Sequence, residues 1–281
     1  MDLTYHIRKI RPHEITIPIE WARDAGWNPG LHDASCHYPQ DPDGWFCAEH
    51  EGEIIGVGVA TNYSESFSFG GFYIVQEEYR HHGVGWDIFQ AMLHHAGDRN
   101  FGGDGVFAMQ DKYAAKIGMK YAYRNIRWQG IAVGKAQPDL VHASDIPFDT
   151  LLSYDTRHFP AERRVFLQNW IQQPEGETLV KTGADQAVLG YGVIRRCFEG
   201  HKIGPIFADT PGIADELFDG LCNTIQGETI FFDTPEPNTA AVRMAQKRKM
   251  TEVFGTARMY TKILPNLPIQ EIFGVTSYEL G

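Results

Sequence analysis

The residues best suited to chemistry lie in one stretch, Phe72-Tyr73-Ile74-Val75-Gln76-Glu77-Glu78-Tyr79-Arg80-His81-His82-Gly83-Val84-Gly85-Trp86. A strand-like apolar run leads through a polar turn into Arg-x-x-Gly-x-Gly, which opens a helix. The first amides of a helix have no intrahelical acceptor and carry partial positive charge, so a diphosphate fits there. Gly83 and Gly85 would let the backbone come close to phosphate oxygens. Arg80 would add charge-assisted hydrogen bonds at the rim. A glycine pair ahead of a helix serves equally well as a plain tight turn, and the stretch alone leaves both readings open. The Gly-x-Gly-x-x-Gly fingerprint and the Walker A pattern are absent, which argues against a Rossmann or P-loop site.

Other reactive residues give weaker patterns. His81-His82 and His94-His95 lack His-Glu-x-x-His spacing, and adjacent side chains on a helix point apart, so no metal site is expected. Cys47-x-x-His50 has no second ligand pair, and no Gly-x-Ser-x-Gly elbow occurs. Trp21, Trp27, Tyr38 and Trp45 crowd the segment before the first clear strands. They suit an acceptor pocket, although core packing is the commoner use of such residues.

The elements that must position the loop are partly legible. Gly44–Cys47 and Glu53–Asn62 read as a strand pair around the turn Glu51-Gly52, followed by a strand at Phe67–Val75. Val84, Ile88, Met92 and His95 recur at helical spacing, predicting a helix from Gly83 to about Asp98. Gly102-Gly103 reads as its close, Gly105–Met109 as a short buried strand, and Asp111–Ile117 as a helix stopped by Gly118. Tyr121–Val133 is extended, and Asp139–Asp149 reads as a linker. Helices at Phe148–Tyr154 and Ala161–Gln172, a strand pair within Glu177–Cys197, and a strand at Ile203–Ala208 follow. A helix at Gly212–Thr224, a strand at Glu228–Asp233, a helix at Thr239–Lys249 and extended chain at Phe254–Ile263 complete the second set.

That order repeats the first half. Ile55-Gly56-Val57-Gly58-Val59 matches Leu189-Gly190-Tyr191-Gly192-Val193 at an offset of 134 (190 minus 56). Ala114–Met119 partly matches Ala245–Met250 at an offset of 131 (245 minus 114). Each match falls at the same point in the element order, which indicates an internal duplication with units at 1–138 and 139–281.

Hydrophobic content of 43% with 12% aromatic residues supports packed cores, and the length of 281 residues allows two modest domains. The net charge of −11, spread along the chain, disfavours sequence-blind nucleic-acid binding. No apolar run approaches the roughly 20 residues that span a bilayer, and Met1–Ile10 lacks the apolar core of a signal peptide. A cytoplasmic protein without membrane or nucleic-acid partners is expected, with Cys36, Cys47, Cys197 and Cys222 as reduced thiols. Nothing in the sequence indicates an oligomeric state.

Val75-x-x-x-Tyr79-Arg80-x-x-Gly83-Val84-Gly85 resembles the acetyl-coenzyme A signature of the GCN5-related N-acetyltransferase (GNAT) family, and the elements around it agree over roughly 1–135. The arrangement of both halves resembles the YitH/HolE group, with Ile203–Asp209 and Ile272–Gly281 similar to that group. The resemblance implies an α+β fold of two tandem GNAT-like domains. Each would be a mixed, mostly antiparallel sheet flanked by helices, the second divergent. It implies an acetyl-CoA-dependent N-acetyltransferase in which the amine of a small molecule attacks the thioester directly. A non-catalytic acyl-CoA-binding sensor is the alternative.

The resemblance also implies a pose. Backbone groups of Tyr73, Ile74 and Val75 would pair with the pantetheine arm, with an amide near Ile74 polarising the thioester carbonyl. Arg80, His81, His82, Gly83, Val84, Gly85 and Trp86 would form the diphosphate cradle. The cofactor would enter a splay between Phe67–Val75 and Gly105–Met109. The family's leaving-group tyrosine position is Ala114 here. Tyr113, one residue out of register, is the candidate general acid and equally a packing or rim aromatic. Glu65, Glu77 and Glu78 flank the strand, but no base is identified. In the second half, Asp209-Thr210-Pro211-Gly212-Ile213-Ala214-Asp215 replaces the loop with carboxylates that repel a diphosphate. Asn238-Thr239-Ala240-Ala241 resembles the family's Asn-x-x-Ala helix start, yet Ala245 stands at the tyrosine place. A retained fold with one cofactor per chain is expected.

Overall fold

A computed structural model describes residues 3–107 and 110–281; the side chains of Lys112 and Tyr113 fall outside that description. The first half runs β1 (His6–Lys9), α1 (Ile17–Asp24), α2 (Asp33–His37), β2 (Trp45–His50), β3 (Glu53–Asn62), β4 (Phe67–Val75), α3 (Val84–Ala96), β5 (Asn100–Gly105), α4 (Gln110–Ile117) and β6 (Lys120–Ile131). The second half repeats that order. It runs β7 (Leu140–His142), α5 (Phe148–Thr156), α6 (Arg164–Trp170), β8 (Gly176–Thr182), β9 (Val188–Arg196), β10 (His201–Ala208), α7 (Pro211–Asn223), β11 (Thr229–Pro235), α8 (Thr239–Lys247) and β12 (Thr251–Tyr260). A short β13 (Ile272–Gly274) follows. The duplicated motifs occupy equivalent places, Gly56 and Gly190 in β3 and β9, Ala114 and Ala245 in α4 and α8.

The strands form one sheet in the order β1-β2-β3-β4-β5-β12-β6-β11-β10-β9-β8-β7, with β13 on β10. Among the described pairings only β4–β5 and β10–β11 are parallel. The halves exchange strands reciprocally. β12 of the second half lies between β5 and β6 of the first, and β6 lies between β11 and β12. The two meet antiparallel, with Asn125 opposite Thr256 and Ile126 opposite Gly255. Buried apolar side chains follow the exchange. Leu280 from the second half packs with Trp45, Val57, Val59 and Phe72 of the first, and Tyr260 packs with Phe67 and Phe69.

Two expectations are corrected. The strand expected at Gly105–Met109 lies earlier, at Asn100–Gly105, so Gly102-Gly103 sit inside it instead of closing a segment. Bulk from the neighbours explains the glycines: a Cβ on Gly102 would stand 2.9 Å from atoms of both the Phe69 and Tyr260 rings. Phe107 is exposed, and Ala108 and Met109 lie outside the described residues. The stretch expected as a linker contains β7, whose Leu140, Val141 and His142 pair with Lys181, Val180 and Leu179 at the sheet edge. The Glu51-Gly52 turn is as expected, with both residues at positive φ (52° and 88°).

Candidate functional site

β4 carries an irregularity at the point where chemistry is expected. Val57 pairs with Ile74 and Val59 with Gly71, so β4 holds one more residue than β3 across that interval. The extra residue is a bulge at Phe72 and Tyr73, and Phe72 sits at φ 46°. A bulky residue in the left-handed region is held there by its surroundings. The Phe72 ring is fully buried and stacks on Trp45 with centroids 6.0 Å apart. The bulge turns β4 away from β5. Their parallel pairing runs from Phe67–Asn100 to Gly70–Gly103 and then ends.

Beyond that point a cavity of about 550 Å³ opens between the diverging strands. One end is the glycine loop. After Gln76 the chain makes a short 3-10 turn, Glu77–Tyr79, and returns extended at Arg80. His81 and Gly83 then take positive φ, 68° and 89°, to swing into α3. Gly83 is the N-cap, and among the described residues no side chain caps the helix, which leaves its opening amides without a side-chain acceptor there. A Cβ on Gly85 would stand 2.5 Å from the Tyr73 Oη, so the loop closes over that ring only because position 85 has none.

Of the residues expected at the cradle, Tyr73, Ile74, Val75, Arg80, His81, Gly83, Gly85 and Trp86 line the cavity. His82 is exposed outside it, and Val84 is buried under α3, packed toward Gly56 of β3. Arg80 folds back, its Nε donating to the Val75 carbonyl at 3.0 Å. Lys116 of α4, which sequence reasoning did not single out, also lines the cavity, with its Nζ 4.4 Å from the Trp86 ring centroid. Arg80, His81 and Lys116 thus put basic groups around an uncapped helix start. The one acidic residue in the first turn of α3, Asp87, accepts a 2.7 Å hydrogen bond from Tyr5 Oη. Burial, and then this carboxylate, push the Tyr5 hydroxyl up to about 12, so it stays a donor.

The other end of the cavity is built largely by strands and loops that cross over. Trp27, Asp104, Arg127, Phe254, Thr256, Tyr278 and Glu279 line it. Asp104 of β5 is a junction between halves. It accepts from Asn125 Nδ2 at 2.8 Å and from Arg258 Nε and Nη2 at 3.0 and 2.5 Å. Arg127 forms a two-pronged pair with Asp233 at 2.8 and 2.7 Å and lies over the Tyr278 ring at 4.7 Å. Trp27 alone of the four early aromatics reaches the cavity; Trp45 is core, and Trp21 and Tyr38 pack against it.

The three carboxylates that flank the strand lie away from the cavity. Glu65, Glu77 and Glu78 are exposed and do not line the cavity. The Tyr113 side chain lies outside the described residues, and Ala114, at the family's tyrosine position, is exposed. His94 is exposed and His95 bonds Asp41 at 2.7 Å. The four cysteines are buried free thiols. Burial pushes Cys47 up to about 11 and Cys36 and Cys222 up to about 12, unsuited to nucleophilic work.

The equivalent wedge in the second half is filled by the chain itself. β10 pairs with β11 from His201–Ile230 to Ile203–Phe232 and then diverges. β13 enters there, pairing Gly274 with Ile206 and Ile272 with Phe207, while Val275 N–H donates to the Asp233 carbonyl at 2.9 Å.

Family comparison agrees with this geometry in both halves. The model for the acetyltransferase (GNAT) family matches residues 12–116, and that for the acetyltransferase (GNAT) domain matches residues 151–274. The chain is a tandem GNAT protein. This tandem GNAT protein is 27% identical over 267 residues to a holothin acyltransferase of Pseudoalteromonas sp. (strain SANK 73390), covering 93% of this chain and 90% of that one. Its fold is similar to a putative acetyltransferase from Pyrococcus horikoshii (TM-score 0.81, 21% identity, 99% and 96% covered). It is also similar to a tandem GNAT protein from the clavulanic acid biosynthesis pathway (TM-score 0.64, 10% identity, 94% and 100% covered). GNAT proteins use acyl-CoA donors, and both family matches support acyl transfer as the general chemistry of this one. Among the described residues of the GNAT chain, no helix is long and apolar enough to cross a membrane.

Proposed function

We propose that this chain transfers an acetyl group from acetyl-coenzyme A to the amine of a small molecule, in one cavity per chain. The carrying observation is the divergence of β4 from β5 beyond Gly70–Gly103, which opens directly onto the uncapped start of α3. In this reading the amides of residues 81–86, with Arg80 and Lys116, hold the diphosphate. The backbone of Tyr73–Val75 that lines the cavity holds the pantetheine arm and presents an amide to the thioester oxygen. The thioester supplies an activated acyl carbon, and the chain's own groups orient the amine and move protons. Units 1–138 and 139–281 divide the labour, the first carrying the donor cradle and the second closing the acceptor end. Tyr113 is the proposed proton donor to the leaving sulfur.

The exposed Ala114 at the family's tyrosine position favours a second reading, a sensor that binds acyl-CoA without turnover. Thermal stabilisation by coenzyme A and free-thiol release against an amine panel separate the two. Both readings require a melting-temperature rise with millimolar coenzyme A. Acceptor-dependent thiol release supports the enzyme, and binding without it supports the sensor. Absence of any stabilisation overturns both.

A further inference from the structure

Two neighbouring side chains at the far end of the cavity carry polar atoms with no partner. Tyr278 is 6% exposed and Glu279 is 4% exposed, and both line the cavity. Among the described residues neither Tyr278 Oη nor Glu279 Oε2 finds a hydrogen-bond partner. An unsatisfied buried hydroxyl is costly and an unsatisfied carboxylate more so, which points to a ligand or water as the missing partner. The nearby arginines each have a carboxylate partner, although Arg195 Nη1 is left without one among the described residues. Arg127 is held by Asp233, and Arg195 by Asp33 at 2.9 Å. Lys202, buried on β10, also has its Nζ unpartnered among the described residues. Burial, and then the Arg127 charge, push the Lys202 ammonium down, against the opposing pull of the Glu279 carboxylate.

We propose that Glu279, delivered by the second half into the first half's cavity, receives the acceptor's ammonium group and takes its proton, with Tyr278 Oη completing the site. The surrounding Trp27, Phe254 and Tyr278 rings fit an amine on an apolar or aromatic frame. Glu279 accepts one proton from the ammonium. The freed nitrogen lone pair forms the C–N bond to the thioester carbonyl carbon as the C–S bond breaks. The departing sulfur keeps the electron pair and takes a proton from the proposed donor Tyr113, which is made good by the second proton the nitrogen gives up as it becomes an amide. The proton on Glu279 then returns to water.

This inference rests on the donor reading of the cavity, and the test separates the two. Melting temperature is measured with coenzyme A, and then with coenzyme A plus tyramine or tryptamine against tyrosol or tryptophol, the same frames bearing a hydroxyl. The wild-type protein should be stabilised more by each amine than by its alcohol. In Glu279→Gln that preference should vanish while the coenzyme A shift remains, and amine-dependent thiol release should fall by about 100-fold or more. Glu279→Asp keeps the charge one methylene back and should retain a smaller preference for the amine. If it does not, or if Glu279→Gln keeps the full preference or the wild type shows none, the assignment of Glu279 is wrong though the donor cradle stands. A wild type indifferent to coenzyme A removes the donor reading instead.

Discussion

The carbonyl oxygen of Glu279 occupies the place where a Cβ on Gly71 would be. The close approach seats the segment Val275–Gly281 against the β4 bulge, and Tyr63 Oη fixes it further by donating to the Leu280 carbonyl at 2.8 Å. Gly71→Ala should therefore push that segment off the strand. A loss of about 1–3 kcal/mol or more is expected from denaturant midpoints, with the amine preference lost before coenzyme A binding.

The cradle depends on two glycines for different reasons. Gly83 has a φ of 89°, where an alanine costs about 1–2 kcal/mol of backbone strain. Gly85 has an ordinary helical backbone but lies over Tyr73. Gly85→Val should weaken coenzyme A binding by about tenfold or more, equivalent to about 1.4 kcal/mol, measured by titration calorimetry. Unchanged affinity would remove the loop from the donor site.

Asp104 joins the halves through Thr256 and Arg258, and bonds Asn125 within its own half. Replacing it by asparagine leaves the buried Arg258 guanidinium without its counter-charge, and a loss of about 3–5 kcal/mol is expected in urea unfolding. Arg258→Met together with Asp104→Asn should recover part of that loss, because the orphaned charge goes too.

His37 supplies a pH signature remote from the cavity. It is fully buried against Phe166 and Trp170, both ring nitrogens lack partners, and burial pushes it down to about 3 from an ordinary 6.5. The folded state binds this proton less well than the unfolded chain. Its stability contribution is present above pH 6.5 and is lost as pH falls toward 3, at up to about 1.4 kcal/mol per pH unit. His37→Phe should flatten that slope in unfolding measurements between pH 6.5 and 4, and cost little at pH 7.

Much of this architecture was legible because it is locally encoded. Phe67–Val75 and Glu53–Asn62 match β4 and β3, and the Val84–Ile88–Met92 spacing gives the buried face of α3. The glycine loop was legible because positive φ and close approach select residue type directly. Pairing partners were not, since alternation in a strand says which face is buried and nothing about which strand lies beside it. Hence Gly102, shaped by Phe69 and the distant Tyr260, read with Gly103 as punctuation. Glu279 escaped for the same reason: a single carboxylate among mixed residues acquires meaning only from the cavity it enters. Lys116 looked like any solvated charge on a helix.

The exchanged strand has a consequence for synthesis. β5 and β6 are made long before β12, yet neither can pair on its shared side until Thr251–Tyr260 has left the ribosome. Until the second half arrives the growing polypeptide exposes one edge of β5 and both edges of β6, a hazard for intermolecular pairing. A fragment ending at residue 138 should be trapped in that state and aggregate, and co-expression with 139–281 should rescue it. Chaperone attendance on the nascent chain should persist until the second half is nearly complete.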